Sequence, residues 1–201
     1  LQDGRAVFNG AIFKSEYDDK QESILIPVNL ANVATVIRNA ASMEMTGIEL
    51  ELMYQVTEAW DLMVTYGYLE AEYKDYLADL TGDGVITDNS GLIPRNTPEN
   101  TFGFTTSYTA QLGNGELKGR VSYRFRDEMN TDSSNNPLGD LDSIENVNAT
   151  LSYSVDNYSI TLWGRNLTDE REQRWATIGG LTSRGWWNEP STVGVTFNVS
   201  Y

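Results

Sequence analysis

Oxygen-bearing side chains at alternating positions near residue 80 could bind a hard cation. Asp79, Thr81 and Asp83 take the first, third and fifth places of a calcium loop, and Gly84 supplies the sharp turn at the sixth. The twelfth place holds Ser90, so the bidentate carboxylate is missing, and a solvated Asp/Gly-rich turn is the alternative. The pattern predicts a calcium site formed by Asp79, Thr81, Asp83 and Asp88.

A second group combines arginine and tryptophan in the stretch 169–189. Both residue types are favoured contacts at interfaces, and a tryptophan face can also stack on a sugar or an aromatic ligand. The alternative for Trp186 and Trp187 is a place in the aromatic girdle of a membrane protein. The sequence therefore predicts a ligand-binding loop that uses Arg171, Arg174, Trp175, Arg184, Trp186 and Trp187.

Basic side chains alternate with large apolar ones between residues 117 and 126. Successive side chains of a strand point to opposite faces, so the basic residues share one face. This predicts a polar lumen behind an apolar wall, whereas a soluble sheet would turn the same face to water. Two roles follow for the basic residues, guidance of an anionic ligand or pairing with acids such as Glu49 and Glu51. The predicted lumen-facing set is Lys118, Arg120, Arg124 and Arg126.

Composition excludes several classes of protein. The 201 residues carry a net charge of −15, which argues against nucleic acid as a partner because such binding needs a basic surface. The sequence has no histidine and no cysteine, which removes the commonest general base, thiolate chemistry and most zinc sites. We therefore expect no enzymatic activity from this chain.

These groups sit on short segments with a period of two. In the last ten residues Val193, Val195, Phe197 and Val199 alternate with small or polar residues, and about seven similar segments precede them. Turn signals near residues 58, 114 and 156 give short connections, which alternate with long ones. The predicted fold is all-β, an antiparallel up-and-down transmembrane β-barrel of about eight strands, with short turns at one end and long loops at the other.

Four segments, in order, resemble the TonB-dependent outer-membrane receptors. Residues 39–52 carry the G-x-E-L-E barrel strand, and residues 62–76 follow with a Y-G-Y cadence that ends in D-Y. Residues 93–101 are similar to the proline-containing re-entry after an extracellular loop. Residues 163–169 contain Asn-Leu-Thr-Asp, similar to the N-L-x-D signature near the receptor C-terminus.

The resemblance implies that residues 1–201 form one barrel segment, the C-terminal part of a larger barrel of roughly 22 strands. The plug domain and the N-terminal barrel strands are absent from this segment, which begins as though cut from a longer chain. It also implies location in the bacterial outer membrane, with membrane lipid, a scarce siderophore-like nutrient and, through the missing N-terminal region, TonB as partners. Two alternatives stay open: a self-contained eight-stranded outer-membrane barrel of structural or adhesive role, and a soluble, calcium-stabilised, carbohydrate-binding β-sandwich.

Overall fold

Sixteen strands make up nearly all regular structure in the part of the chain that the computed structural model describes, residues 4–29, 32–39, 42–80, 83–171, 173–179 and 182–201. In chain order they are β1 (Ala6–Asp18), β2 (Gln21–Asn29), β3 (Asn32–Asn39), β4 (Ser42–Thr57), β5 (Trp60–Asp75), β6 (Leu77–Ala78), β7 (Thr87–Asp88), β8 (Asn100–Leu112), β9 (Gly115–Arg126), β10 (Met129–Asn130), β11 (Asp140–Leu141), β12 (Ile144–Val155), β13 (Tyr158–Arg165), β14 (Gln173–Gly179), β15 (Thr182–Trp187) and β16 (Thr192–Val199). A 3-10 helix, Pro137–Gly139, precedes β11. Within these residues no helix is long and apolar enough to cross a membrane.

Eight of the strands form one antiparallel sheet in the order β1-β4-β5-β8-β9-β12-β13-β16. Each strand pairs with the next long strand of the chain, which is the predicted up-and-down arrangement. The short connections lie where the sequence predicts them, and Gly113 and Asp156 adopt left-handed φ values of 61° and 50° to close two of them. β1 and β16 are the two edges of this sheet.

The remaining eight strands form two-stranded sheets inside the four long connections, all at one end of the main sheet. They pair as β2 with β3, β6 with β7, β10 with β11, and β14 with β15. The apolar residues between 21 and 39 thus belong to the β2–β3 hairpin and not to an extension of β1. The length asymmetry of the connections is confirmed.

Register gives the main sheet one mainly apolar face and one mainly polar face. Across β4, β5 and β8, Leu50 pairs with Tyr66 and Tyr66 with Phe102, whereas one residue earlier Glu49 pairs with Gly67. A slip of one residue would exchange the faces, so the pattern fixes the register. The apolar face is open to its surroundings, with Ile12 82% and Phe197 64% exposed. Such a continuous exposed apolar belt suits contact with lipid hydrocarbon.

Among the described residues, most buried apolar side chains lie where the main strands meet the long connections, and not between two sheets. Met43, Tyr73, Tyr76 and Ala78 form a buried cluster, with Leu92 packed against it. A β-sandwich would bury the facing sides of two stacked sheets. The described cluster instead packs the long connections against one end of a single sheet, and the candidate site lies on the polar face of that sheet.

Candidate ligand-binding site

The polar face of the sheet borders a concave space of about 1390 Å³. We call this space the inner chamber. Inward-facing residues of the main strands form its walls, and the end of the fourth long connection, residues 166–191, closes over one side. Its lining includes Glu49, Glu51, Thr65, Gly67, Gly103, Arg124, Arg126, Arg165 and Trp187.

Charge is divided between the two sides of the inner chamber. The acids Glu49 and Glu51 lie on β4, and the bases Arg124 and Arg126 lie on β9. Three strand spacings, about 14 Å, separate β4 from β9, so the two rows flank the chamber instead of lying side by side. Glu51 accepts a hydrogen bond of 2.9 Å from Asn9 on the neighbouring strand β1.

Small residues form the floor between the charged rows. Gly103 has Thr65 as its register partner, and a Cβ at Gly103 would lie 2.5 Å from the Thr65 hydroxyl oxygen. Likewise a Cβ at Gly67 would lie 2.8 Å from the Thr101 hydroxyl. A side chain at either position would displace the facing threonine hydroxyl, so the two glycines keep the space above β5 and β8 open.

The predicted basic set shares the inner face of β9. Arg124 pairs in register with Asn146 and Arg120 with Thr150, whereas the alternate residues belong to the apolar face. Arg126 donates to the carbonyl oxygens of Asp127, at 2.8 Å, and Asp142, at 3.1 Å. The guanidinium of Arg126 is thus held at the base of the third long connection, and guidance of an anionic ligand stays a prediction for all four, Lys118 included.

The structure brings part of the predicted arginine and tryptophan loop to the inner chamber. Trp187 lines it, and Trp186 and Trp187 are 72% and 63% exposed. Arg171 is also exposed. Pairing of β14 with β15 sets Trp175 opposite Trp186 and Thr177 opposite Arg184. The side chains of Arg174, Trp175 and Arg184 lie outside the described part of the structure, so their contacts stay predictions.

Sequence reasoning missed an aromatic and cationic pair on the inner face of β13. The Arg165 guanidinium lies 5.3 Å from the centre of the Trp163 ring, and Trp163 Nε1 donates to the Thr196 hydroxyl at 3.1 Å. The ring covers Gly194, where a Cβ would approach its atoms to 2.3 Å. The sequence contains a signal for this pair, because Trp163 and Arg165 alternate with Leu162 and Gly164 and so share one face of the strand.

The predicted calcium loop uses its carboxylates to hold its own backbone. Asp79 accepts from the Gly84 amide, Asp83 from the Val85 amide and Asp88 from the Ser90 amide, at 2.8, 2.8 and 3.0 Å. Hydrogen bonds from Ser90 lower the pKa of Asp88. Thr81 lies outside the described residues, among which no three acidic side chains gather into a metal-binding group. The calcium site stays a prediction.

A buried carboxylate that the sequence did not indicate joins three segments at the end of the main sheet with the long connections. Glu22 at the start of β2 is 1% exposed and forms an ion pair and hydrogen bond with Lys20. Its Oε1 accepts from the Tyr73 hydroxyl at 2.6 Å, and its Oε2 lies 3.2 Å from Arg95 Nη2. Glu22 thereby fastens the β2–β3 hairpin to β5 and to the second long connection.

The second and third long connections are also joined to each other. The Ile93 amide donates to Asn135 Oδ1 at 2.9 Å, and Asn135 Nδ2 donates back to the Ile93 carbonyl at 2.8 Å. The Asn96 amide donates to the Asn130 carbonyl at 2.8 Å. Together with Glu22 these contacts make one joined group of the first three connections.

Acidification is expected to loosen the β2–β3 hairpin. Burial raises the pKa of Glu22, but hydrogen bonds from Lys20 and Tyr73 and the charges of Lys20 and Arg95 outweigh this effect, so the pKa lies below the usual value of a glutamate. Because the pKa of Glu22 is lowered in the folded state, the ionised carboxylate stabilises the docked hairpin at any pH above the pKa that Glu22 has in the unfolded chain. This stabilisation is lost as the pH falls through the folded-state pKa. Amide exchange in 21–29, corrected for its intrinsic pH dependence, should stay constant from about pH 7 to about pH 5 and rise at lower pH. In Glu22→Gln this rise should be absent; an equal rise in both proteins would contradict the assignment.

Comparison with known proteins gives one family and one fold. The family model described as "TonB dependent receptor-like, beta-barrel" matches residues 1–167. The chain is similar to the ferric yersiniabactin uptake receptor FyuA of Yersinia pestis, with a TM-score of 0.76 at 17% identity over 98% of this chain and 28% of that one. It is similar to the siderophore receptor PiuA of Acinetobacter baumannii, with a TM-score of 0.75 at 22% identity over 99% of this chain and 26% of that one. A third similar structure is the ferric-catecholate import receptor Fiu of Escherichia coli, with a TM-score of 0.70 at 22% identity over 99% and 26%. The chain thus spans about a quarter of the length of these receptors.

Proposed function

Since this chain belongs to the TonB-dependent receptor family, we propose that it is one part of a receptor that imports a scarce nutrient with energy delivered through TonB. The family comprises transporters of the bacterial outer membrane and not enzymes. The exposed apolar belt of the eight-stranded sheet matches that location. TonB would act on the N-terminal region of the full receptor.

The inner chamber is the observation that carries the proposal. Arg124, Arg126 and Arg165 face one side of it, and Trp187 lies over it at the end with the long connections. Arginine binds carboxylate and other oxyanions in a bidentate way, and an aromatic face binds flat apolar groups. We propose an anionic, siderophore-like ligand, a choice that the named activities of FyuA, PiuA and Fiu also favour.

The described sheet favours a larger receptor over a self-contained barrel of eight strands. β1 and β16 are at opposite ends of the strand order and do not pair with each other in the described residues. A closed barrel pairs its first and last strands, because an open edge leaves backbone groups without partners inside the membrane. Strands from the rest of the receptor would pair with both edges.

Replacing Trp187 by alanine is expected to weaken binding of the transported complex by about tenfold or more, the usual size for an aromatic contact residue. The full-length receptor would be produced in cells that lack other siderophore receptors. Uptake and dissociation constants would be measured with radioactive iron carried by catecholate, hydroxamate and mixed-ligand siderophores. Trp60→Phe is the matched control, because Trp60 lies in the apolar belt, where its Nε1 donates to Thr106.

If none of these ferric complexes is transported, the siderophore-like ligand is rejected. Transport with an unchanged dissociation constant in Trp187→Ala would keep that ligand class but remove Trp187 from the contact surface. A parallel series with cobalamin and oligosaccharides tests the other nutrient classes, and uptake of one of them would replace the proposed ligand.

A further inference from the structure

Asn166 occupies an unusual position at the point where β13 becomes the fourth long connection. Its φ is +49°, in the left-handed region that asparagine tolerates better than most residues. It is only 5% exposed, although its neighbours Arg165 and Leu167 are exposed. A buried amide must find partners for its donors and acceptor, so its hydrogen bonds show what it holds.

The donors of Asn166 close the fourth connection on itself. Nδ2 donates to the carbonyl oxygen of Glu170 at 2.9 Å and to that of Glu189 at 3.1 Å. These two carbonyls belong to the beginning and the end of the connection, nineteen residues apart in sequence. One side chain therefore brings both ends together, and Glu189 is only two residues beyond Trp187.

The acceptor of Asn166 fastens the same point to the wall of the inner chamber. Oδ1 accepts from Asn146 Nδ2 at 3.0 Å, and the backbone amide of Asn166 donates to Asn148 Oδ1 at 3.0 Å. Both asparagines are on the inner face of β12 and line the chamber. They are also bonded to each other, since Asn148 Nδ2 donates to Asn146 Oδ1 at 2.9 Å.

A second contact reinforces the closure. Asp169 Oδ1 accepts from the Ser191 amide at 3.0 Å, and Asn188 Nδ2 donates to the Glu170 carbonyl at 3.0 Å. Asp169 also has a positive φ, of 52°. The residues around Trp187 are thus held at their base by Asn166, with Asp169 as the second support.

We propose that Asn166 is the positioning residue of the ligand-binding loop: it fixes the segment that bears Trp187 relative to the arginine-lined wall. This inference rests on the proposed function of the inner chamber. Asparagine suits the position because it tolerates the left-handed conformation while offering two donors and an acceptor on a short side chain. Aspartate has the same size and tolerance but offers acceptors alone, and it would set a carboxylate against two carbonyl oxygens.

The test compares Asn166→Asp with Asn157→Asp in the full-length receptor. Asn157 Nδ2 also donates to a backbone carbonyl, that of Ser200 at 2.9 Å, but at the end of the sheet with the short turns. Trypsin is added to intact cells, where Arg171, Arg174 and Arg184 are the cleavage sites within the fourth connection. Losing both donor bonds in Asn166→Asp is expected to speed this cleavage about tenfold or more, with Asn157→Asp unchanged.

The dissociation constant of the ferric complex that the receptor transports is the second readout. The dissociation constant should rise about tenfold in Asn166→Asp, which means weaker binding. The amount of folded barrel, judged by heat-modifiable migration in gels, should be unchanged. Equal cleavage of the two variants, or faster cleavage with an unchanged dissociation constant, would overturn the inference. If no ferric complex binds, the proposed ligand class fails, and the cleavage rates alone decide whether Asn166 positions the loop. If Asn166→Asp does not assemble, Asn166→Gly replaces it, because glycine adopts the left-handed conformation but lacks the amide, and this variant must show the same cleavage increase.

Discussion

Lysine in place of Val121 is expected to reduce sharply the amount of receptor assembled in the outer membrane. Val121 is 42% exposed on the apolar face of β9, between Thr106 of β8 and Ala149 of β12 in register. A lysine on the lipid face near the middle of the membrane costs about 2–4 kcal/mol. That cost is a large share of the net stability of an ordinary protein. Membrane fractions would be compared for folded barrel, measured by heat-modifiable migration and by resistance to urea.

Ser122→Lys is the matched control for Val121→Lys. Ser122 is the next residue of the same strand but faces the inner chamber, between Thr105 and Asn148. There the new ammonium group meets water and polar side chains, so we expect near-normal assembly. Similar losses in the two variants would show that the assigned faces of β9 are wrong.

The second large effect is expected from Glu22→Ala. Removing one partner from a buried ion pair typically costs about 3–5 kcal/mol, because the remaining charges stay buried without compensation. Lys20 and Arg95 are partly exposed, with side-chain exposures of 26% and 38%, so the lower end of that range applies. The loss should appear as local opening of the β2–β3 hairpin, measured as faster amide exchange in residues 21–29.

An exposed ion pair supplies the comparison for Glu22→Ala. Glu72 pairs with Lys74 on β5, and both side chains are nearly half exposed. Exposed pairs contribute about 0–1 kcal/mol, so Glu72→Ala should leave exchange in the hairpin almost unchanged. An equally small effect of Glu22→Ala would mean that the β2–β3 hairpin is held mainly by contacts other than the Glu22 carboxylate.

The main sheet could be predicted from the sequence because its physical signal is local. Residues such as Val193 and Phe197 alternate with small polar ones, and the short turns are marked by residues that adopt left-handed conformations. If each long strand pairs with the next long strand along the chain, few strand orders are possible. Membrane location followed from the combination of loop asymmetry with an apolar face, and the family match supports it.

The contacts that hold the site together could not be predicted in the same way. Glu22 resembles any other acid of the chain, and its burial depends on Tyr73 and Arg95, which are 51 and 73 residues away. Asn166 was noticed only as part of a signature. The two donor bonds of Asn166 go to the backbone carbonyls of Glu170 and Glu189. Every residue carries a backbone carbonyl, so the residue types in the sequence do not reveal which carbonyls Asn166 binds.

The order of strands in the main sheet has a consequence for how such barrels can change in size over evolution. Within the described residues, each strand of the main sheet pairs with the preceding and following strands of that sheet, so a hairpin can be duplicated or lost with only local repair of register. Strands must be gained or lost in pairs. A single additional strand would carry every later connection to the opposite side of the membrane, and the connection with Trp187 would then lie at the end of the short turns. The circumference of the barrel is therefore expected to vary in even steps, with the long connections always on the same side.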